Sequence, residues 1–207
     1  LKHAQWGPEF SNDAIRQFLD LAKLPYESPS NTIERTADLL AAGKIVGWYQ
    51  GRMEFGPRAL GSRSILADPT RADMKDLINK FVKHREEFRP FAPSCLAERA
   101  SEYFEGCASS PFMLFVYPVN QAKRASVPAI THVDGTARVQ TVTRDSNPKF
   151  YALIEAFEKR RGVPMVLNTS FNIMGEPIVN TPSDAVRCFY GTGMDALVIG
   201  DYVLTKQ

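Results

Sequence analysis

The apolar positions of the chain recur at helical spacing in some stretches and as short solid runs in others. Ser11 is a good N-cap, and Ala14, Ile15, Phe18, Leu19 and Leu21 follow it on one helical face. A second helix starts at Asn31 or Thr32, passes through Leu39 and Leu40, and stops at Gly43. The spacing predicts further helices over 70–82, with Leu77, Ile78 and Phe81 as the apolar face, and over 96–104, 149–161 and 182–190. Strand-like runs fall at 45–49, 112–119, 130–133, 137–142, 164–167, 196–199 and 202–204. Asp134–Gly135 reads as a hairpin turn between the third and fourth of these runs. Helices interleaved with short strands predict an α/β (α+β) domain.

A chain of 207 residues is one domain, here residues 31–207, preceded by an arm over 1–30 whose Pro25 and Pro29 mark a linker. With 44% hydrophobic and 23% charged residues it has an ordinary globular composition, which excludes a disordered tail or a coiled coil. No apolar run reaches the roughly 18 residues a membrane span needs. Lys and Arg number 25 against 23 Asp and Glu, and a net charge of +2 argues against a bulk polyanion binder. Cys95, Cys107 and Cys188 form no C-x-x-C pair, which favours a reducing cytoplasm. The chain opens at Leu1 without a signal-like segment and reads as a piece of a longer protein.

Position matters more than net charge. Arg52, Arg58 and Arg63 lie within twelve residues, spaced by Gly51, Gly56 and Gly61. Glycines let a backbone approach a ligand, and guanidiniums grip phosphate in a two-pronged geometry. No G-K-[ST] follows, so this is not a Walker A loop. Lys83 and Arg89 come off a helix end in a second cluster, KHREEFRPF, where the dipole tolerates cations even without a ligand. Arg138 follows the Asp134–Gly135 turn, and Asn168, Thr169, Ser170 and Asn172 follow a buried strand, where α/β proteins commonly bind ligands. His3, His84 and His132 have no metal-ligand spacing, so no metal site is expected, and Ser170 lacks the G-x-S-x-G setting of a nucleophile.

Four blocks in order carry a resemblance: GRMEFGPRALGSRSILADPT, KHREEFRPFAPS, DGTARVQTV and VLNTSFNIMGEPIVNTPSDA. Over residues 45–205 the chain resembles the C-terminal domain of the NodU/CmcH-type carbamoyltransferases. Its segment from Trp6 to Ser11 resembles the one leaving that family's larger N-terminal domain. Ser62 departs from the family's usual asparagine. The resemblance implies a YrdC-like fold, a twisted mixed sheet flanked by helices around a basic concave face. It implies that this half converts carbamoyl phosphate and ATP, with Mg2+ carried by the nucleotide, into carbamoyl-adenylate. An N-terminal transferase domain then passes the carbamoyl group to a hydroxyl acceptor. Arg58, Lys83, Arg138 and Ser170 match catalytic positions; Arg52, Arg89, Asn168, Thr169 and Asn172 match phosphate- and nucleotide-binding blocks. Two other readings stand beside it: a double-stranded RNA-binding module, which the small net charge disfavours, and a regulatory domain that binds nucleotide without turnover.

Overall fold

The computed structural model describes residues 1–206. Seven strands form one mixed sheet in the order β6-β3-β7-β2-β1-β8-β9, comprising β1 (Val46–Tyr49), β2 (Arg63–Ala67), β3 (Ala92–Leu96), β6 (Gln140–Val142), β7 (Met165–Ser170), β8 (Ala196–Ile199) and β9 (Tyr202–Thr205). The β1/β8 and β3/β6 pairs are parallel and the other four are antiparallel. A separate two-stranded ribbon pairs β4 (Val116–Pro118) with β5 (Thr136–Arg138).

Helices cover both faces, so the strands read as solid apolar runs rather than alternating ones. On one face α2 (Thr32–Ala41) and α5 (Pro148–Arg161) pack together against Val46, Trp48, Leu66 and Val166. On the other, Tyr49, Ile65, Ala67 and Leu167 meet a larger cluster. Its helical members are Ile15 and Leu19 of α1 (Asn12–Leu21), Met74 and Ile78 of α3 (Met74–Ile78), Ala100 and Tyr103 of α4 (Ala100–Tyr103), and Ala185 and Phe189 of α6 (Pro182–Tyr190). The region expected as an arm therefore lies against the sheet. Ser11 caps α1 through Ala14 N at 3.2 Å, Leu19 is fully buried, and Glu27 pairs with Val203.

Several expected elements are redrawn by tertiary context. The central strand β2 emerges from what reads as a glycine-arginine loop, and its first residue is the fully buried Arg63. Arg63 Nη1 donates to the carbonyls of Gln50, Gly51 and Ser62 at 3.0–3.1 Å, and its guanidinium stacks 3.6 Å over the Tyr49 ring. Strand β3 carries Pro93, and its pairing with β6 begins one residue later at Ser94. The helix predicted over 96–104 shrinks to a 3-10 turn, Ala97–Arg99, and α4.

The helix predicted over 70–82 becomes α3 followed by a π-turn, Asn79–Lys83. The wider turn rotates Val82 inward and leaves Phe81 48% exposed, so Met74, Ile78 and Val82 form the apolar face. Residues 130–133 are not a strand. His132 and Gly135 close a local turn, and β5 pairs instead with β4, in register Tyr117 with Ala137.

Candidate active site

The carboxyl end of β7 builds the floor of a small cleft. Asn168 pairs across the sheet with Leu66 on one side and Ala92 on the other, and Ser170 lies opposite Ser64. Three guanidiniums close over this floor: Arg58 from the loop before β2, Arg85 beyond the π-turn, and Arg138 at the end of β5. Phe91 and Met113 supply an apolar wall, and Thr169 and Ser170 add hydroxyls. Among the described residues lining the cleft, none is an aspartate or glutamate.

The electrostatics are unbalanced. The Nε groups of Arg58 and Arg138 are buried with no hydrogen-bond partner. Burial pulls the Arg138 guanidinium below its ordinary range, and the positive charge of Arg58 adds to the pull. Burial also lowers Arg85, helped by the charge of Arg89 and opposed by Glu86. Converging cations with free donors and no carboxylate lining the cleft make a site for a multiply charged anion.

Two of the three arginines are supported from behind. Arg85 Nε donates to Asn79 Oδ1 at 2.7 Å, and Asn79 Nδ2 donates to the carbonyls of Glu87 and Arg89 at 3.2 and 3.0 Å. The fully buried Asn79 thus holds the 85–89 loop and Arg85 together. The loop bearing Arg58 is closed by Glu54, whose Oε1 accepts from the backbone N–H groups of Leu60 and Ser62, both at 2.7 Å. Burial raises the Glu54 carboxyl, partly offset by these bonds.

Lys83 lies one layer behind the cleft. The π-turn aims it at the end of β7, and His84 follows in the left-handed region with φ of 48°. Its ammonium donates to the Ser170 carbonyl, to the Asn172 carbonyl at 2.9 Å and to Asn172 Oδ1 at 2.7 Å, with Ser170 Oγ at 3.4 Å. Burial and the charge of Arg85 bring Lys83 down to about 7, while the surrounding oxygens favour the ammonium form.

Of the residues singled out in the sequence, Arg58, Arg138, Asn168, Thr169 and Ser170 meet in the cleft, with Lys83 and Asn172 behind Ser170. Two stand apart. Arg52 donates to the carbonyls of Gly7 and Trp6 at 3.1 and 3.2 Å, tying down the amino-terminal segment. Arg89 is exposed, 4.0 Å from Glu86, and does not line the cleft. Sequence reasoning passed over Arg85 and Asn79. Arg85 sits in a basic run where no periodicity separates it from its neighbours, and Asn79 looks like an ordinary polar helix position.

The carbamoyltransferase C-terminus family matches residues 37–206. The chain belongs to that family. It is 50% identical over its whole length to the nodulation protein NolNO of Sinorhizobium fredii, covering 31% of that protein. It is 43% identical over 96% of its length to the 3'-hydroxymethylcephem-O-carbamoyltransferase of Amycolatopsis lactamdurans, covering 38% of it. The chain thus spans about a third of the length of these curated relatives.

Among solved structures, the carbamoyltransferase C-terminal domain superposes on P. abyssi Sua5 complexed with L-threonine with a TM-score of 0.58 at 17% identity, over 81% of this chain and 46% of that one. It superposes on full-length HypF in its phosphate- and nucleotide-bound form with a TM-score of 0.56 at 16% identity, over 84% of this chain and 22% of that one. At these identities the likeness shows the fold, which is the YrdC-like one expected. Among the described residues no helix is long and apolar enough to cross a membrane.

Proposed function

We propose that this domain is the carbamoyl-adenylate-forming half of an ATP-dependent O-carbamoyltransferase. The observation that carries the reading is the convergence of Arg58, Arg85 and Arg138 on one cleft that holds no carboxylate. Carbamoyl phosphate is a small dianion that suits such a site, and each charge-assisted contact contributes about 1.5–3 kcal/mol. Family membership supplies the carbamoyl chemistry, and a structural relative described as phosphate- and nucleotide-bound agrees with the substrates.

The chemistry matches the residue types. Water takes the phosphoryl group of carbamoyl phosphate, the bridging P–O bond breaks, and inorganic phosphate and carbamate remain. A carbamate oxygen then attacks the α-phosphorus of ATP, and the bond to pyrophosphate breaks. Both steps move negative charge among oxygens, so fixed cations and positioning supply most of the acceleration. Carbamate is already an anion and needs no general base. Arg58 and Arg138 hold phosphoryl oxygens, Ser170 and Thr169 orient them, and Lys83 with Asn172 fixes the end of β7. The cleft offers no carboxylate to a metal ion, so magnesium would arrive bound to the nucleotide phosphates and would screen their charge. The carbamoyl group then passes to a hydroxyl acceptor on an N-terminal transferase domain.

The deciding experiment is exchange of labelled pyrophosphate into ATP by this chain with magnesium. Exchange that requires carbamoyl phosphate supports adenylate formation. Absence of exchange, with no ATP-dependent rise in melting temperature, would sink it. The double-stranded RNA reading is not favoured by any feature of the cleft, whose cations converge inward rather than spread along a face.

A further inference from the structure

The cleft's donors outnumber its acceptors, yet one buried acceptor is left over. Asn168 is 1% exposed and lines the cleft. Its Nδ2 donates to three oxygens: Ala59 O at 3.2 Å, Ser94 Oγ at 2.8 Å and Gln140 Oε1 at 3.3 Å. These neighbours settle which end of the amide is which. Ala59 offers a carbonyl, and Gln140 Oε1 already accepts from Ser94 Oγ at 2.6 Å while Gln140 Nε2 donates to Leu60 O at 2.9 Å. The other end, Asn168 Oδ1, is buried and has no partner.

A buried acceptor without a donor is unfavourable, and such groups in folded proteins are normally paired. The three arginines call for an anion, and this oxygen calls for a donor on the same ligand. A phosphate dianion has almost none to offer. An acyl phosphate with a methyl group has none on its acyl end. A carbamoyl group presents two N–H bonds on a neutral nitrogen close to the phosphoryl oxygens.

We infer that Asn168 is the residue that selects the carbamoyl group, its Oδ1 accepting an N–H from the carbamoyl nitrogen while Arg58 and Arg138 hold the phosphoryl oxygens. This rests on the reading of the cleft as a carbamoyl phosphate site. The Ala59, Ser94 and Gln140 contacts make the choice rigid, because the amide cannot turn its nitrogen into the cleft without losing all three. Sites built to hydrogen-bond a substrate N–H reject analogues lacking it, since the protein group is then left unpaired.

The test compares two stable phosphonates by calorimetry on this chain: phosphonoacetamide, which keeps the amide, and acetonylphosphonate, which has a methyl group in place of the NH2. Inorganic phosphate is the third ligand. The wild type is expected to bind the amide roughly tenfold more tightly than the ketone. Asn168→Leu should lose that preference and bind the two phosphonates equally. If Asn168→Leu does not fold, Asn168→Ser withdraws the acceptor while leaving a small polar side chain toward Ser94. Equal binding of the two phosphonates by the wild type would overturn the inference without touching the anion site, and so would a preference that survives in the variant. If none of the three ligands binds, the carbamoyl phosphate reading itself fails, and the inference fails with it.

Discussion

The Lys83 ammonium meets Asn172 Oδ1 at 2.7 Å across 89 positions of sequence, and this contact ties the π-turn to the end of β7. Ser170 Oγ donates to the same Asn172 oxygen at 2.8 Å, so a hydroxyl that lines the cleft takes its orientation from an amide held by a buried cation. Asn172 Nδ2 in turn donates to Glu176 O at 2.8 Å. Lys83 thereby acts on the cleft through Ser170 and through its charge.

That arrangement makes anion binding depend on pH. With Lys83 brought down to about 7, the cation is present below neutrality and lost above it. Sulfate, whose own charge does not change over this range, should bind more weakly as pH rises through 7. In Lys83→Met the dependence should flatten, and adenylate formation should be abolished. Stability runs the other way. The unfolded chain keeps the proton up to 10.5, so the wild type gains stability between about 7 and 10.5 and Lys83→Met does not. Urea titrations across that window check the second half, and equal slopes in both proteins would refute it.

Arg58 and Arg138 repel one another across the cleft. Arg58→Ala should therefore leave the ligand-free melting temperature unchanged or raise it, while removing the stabilisation that inorganic phosphate provides. Arg138→Lys should not restore that stabilisation, because an ammonium lacks the planar fork. Thermal melts with and without phosphate decide both points. A variant that is unstable without ligand would mean the arginine is structural.

Glu54 gathers two backbone donors with one oxygen and leaves the other unpaired. Glu54→Ala should cost about 1.5–3 kcal/mol, the scale of hydrogen bonds to a charged group, and should loosen the loop that carries Arg58. Because burial raises its carboxyl, the protonated form suits the fold and stability is lost as pH climbs through and above 4.5. Glu54→Gln, which cannot ionise, should gain on the wild type when the pH is raised from about 4 to about 7. Denaturation at both pH values measures it.

Gly61 adopts φ of 106°, and a Cβ there would collide with the Phe150 ring. Its carbonyl accepts from Trp48 Nε1 at 2.9 Å, so the position cannot relax freely. Gly61→Ala should destabilise the domain by about 1–3 kcal/mol through overpacking. An unchanged urea midpoint would show that Phe150 can move aside.

Most of the secondary structure is written in local pattern. Ser11, Asn31 and Thr181 each cap the helix that follows, and Gly162 ends α5 in the left-handed region. The strands that escaped notice, β2 and β3, begin with a buried arginine and carry a proline. Arg63 resembles a ligand-binding arginine as long as only its neighbours in sequence are considered. Three backbone carbonyls and the Tyr49 ring absorb its charge instead.

By itself the amino-acid sequence determined α1, α2, α5 and α6, the strands other than β2 and β3, the family resemblance and the blocks in which the cleft residues lie. Those signals are short-range: spacing, caps and motif order. Which arginine faces the cleft was decided only by the tertiary structure. Arg58 and Arg63 are five residues apart and equally basic, yet one lines the cleft beside Arg138 and the other disappears into the sheet. The orphaned Asn168 oxygen is likewise invisible in sequence, because its meaning depends on Ala59, Ser94 and Gln140, which only folding brings to the same amide.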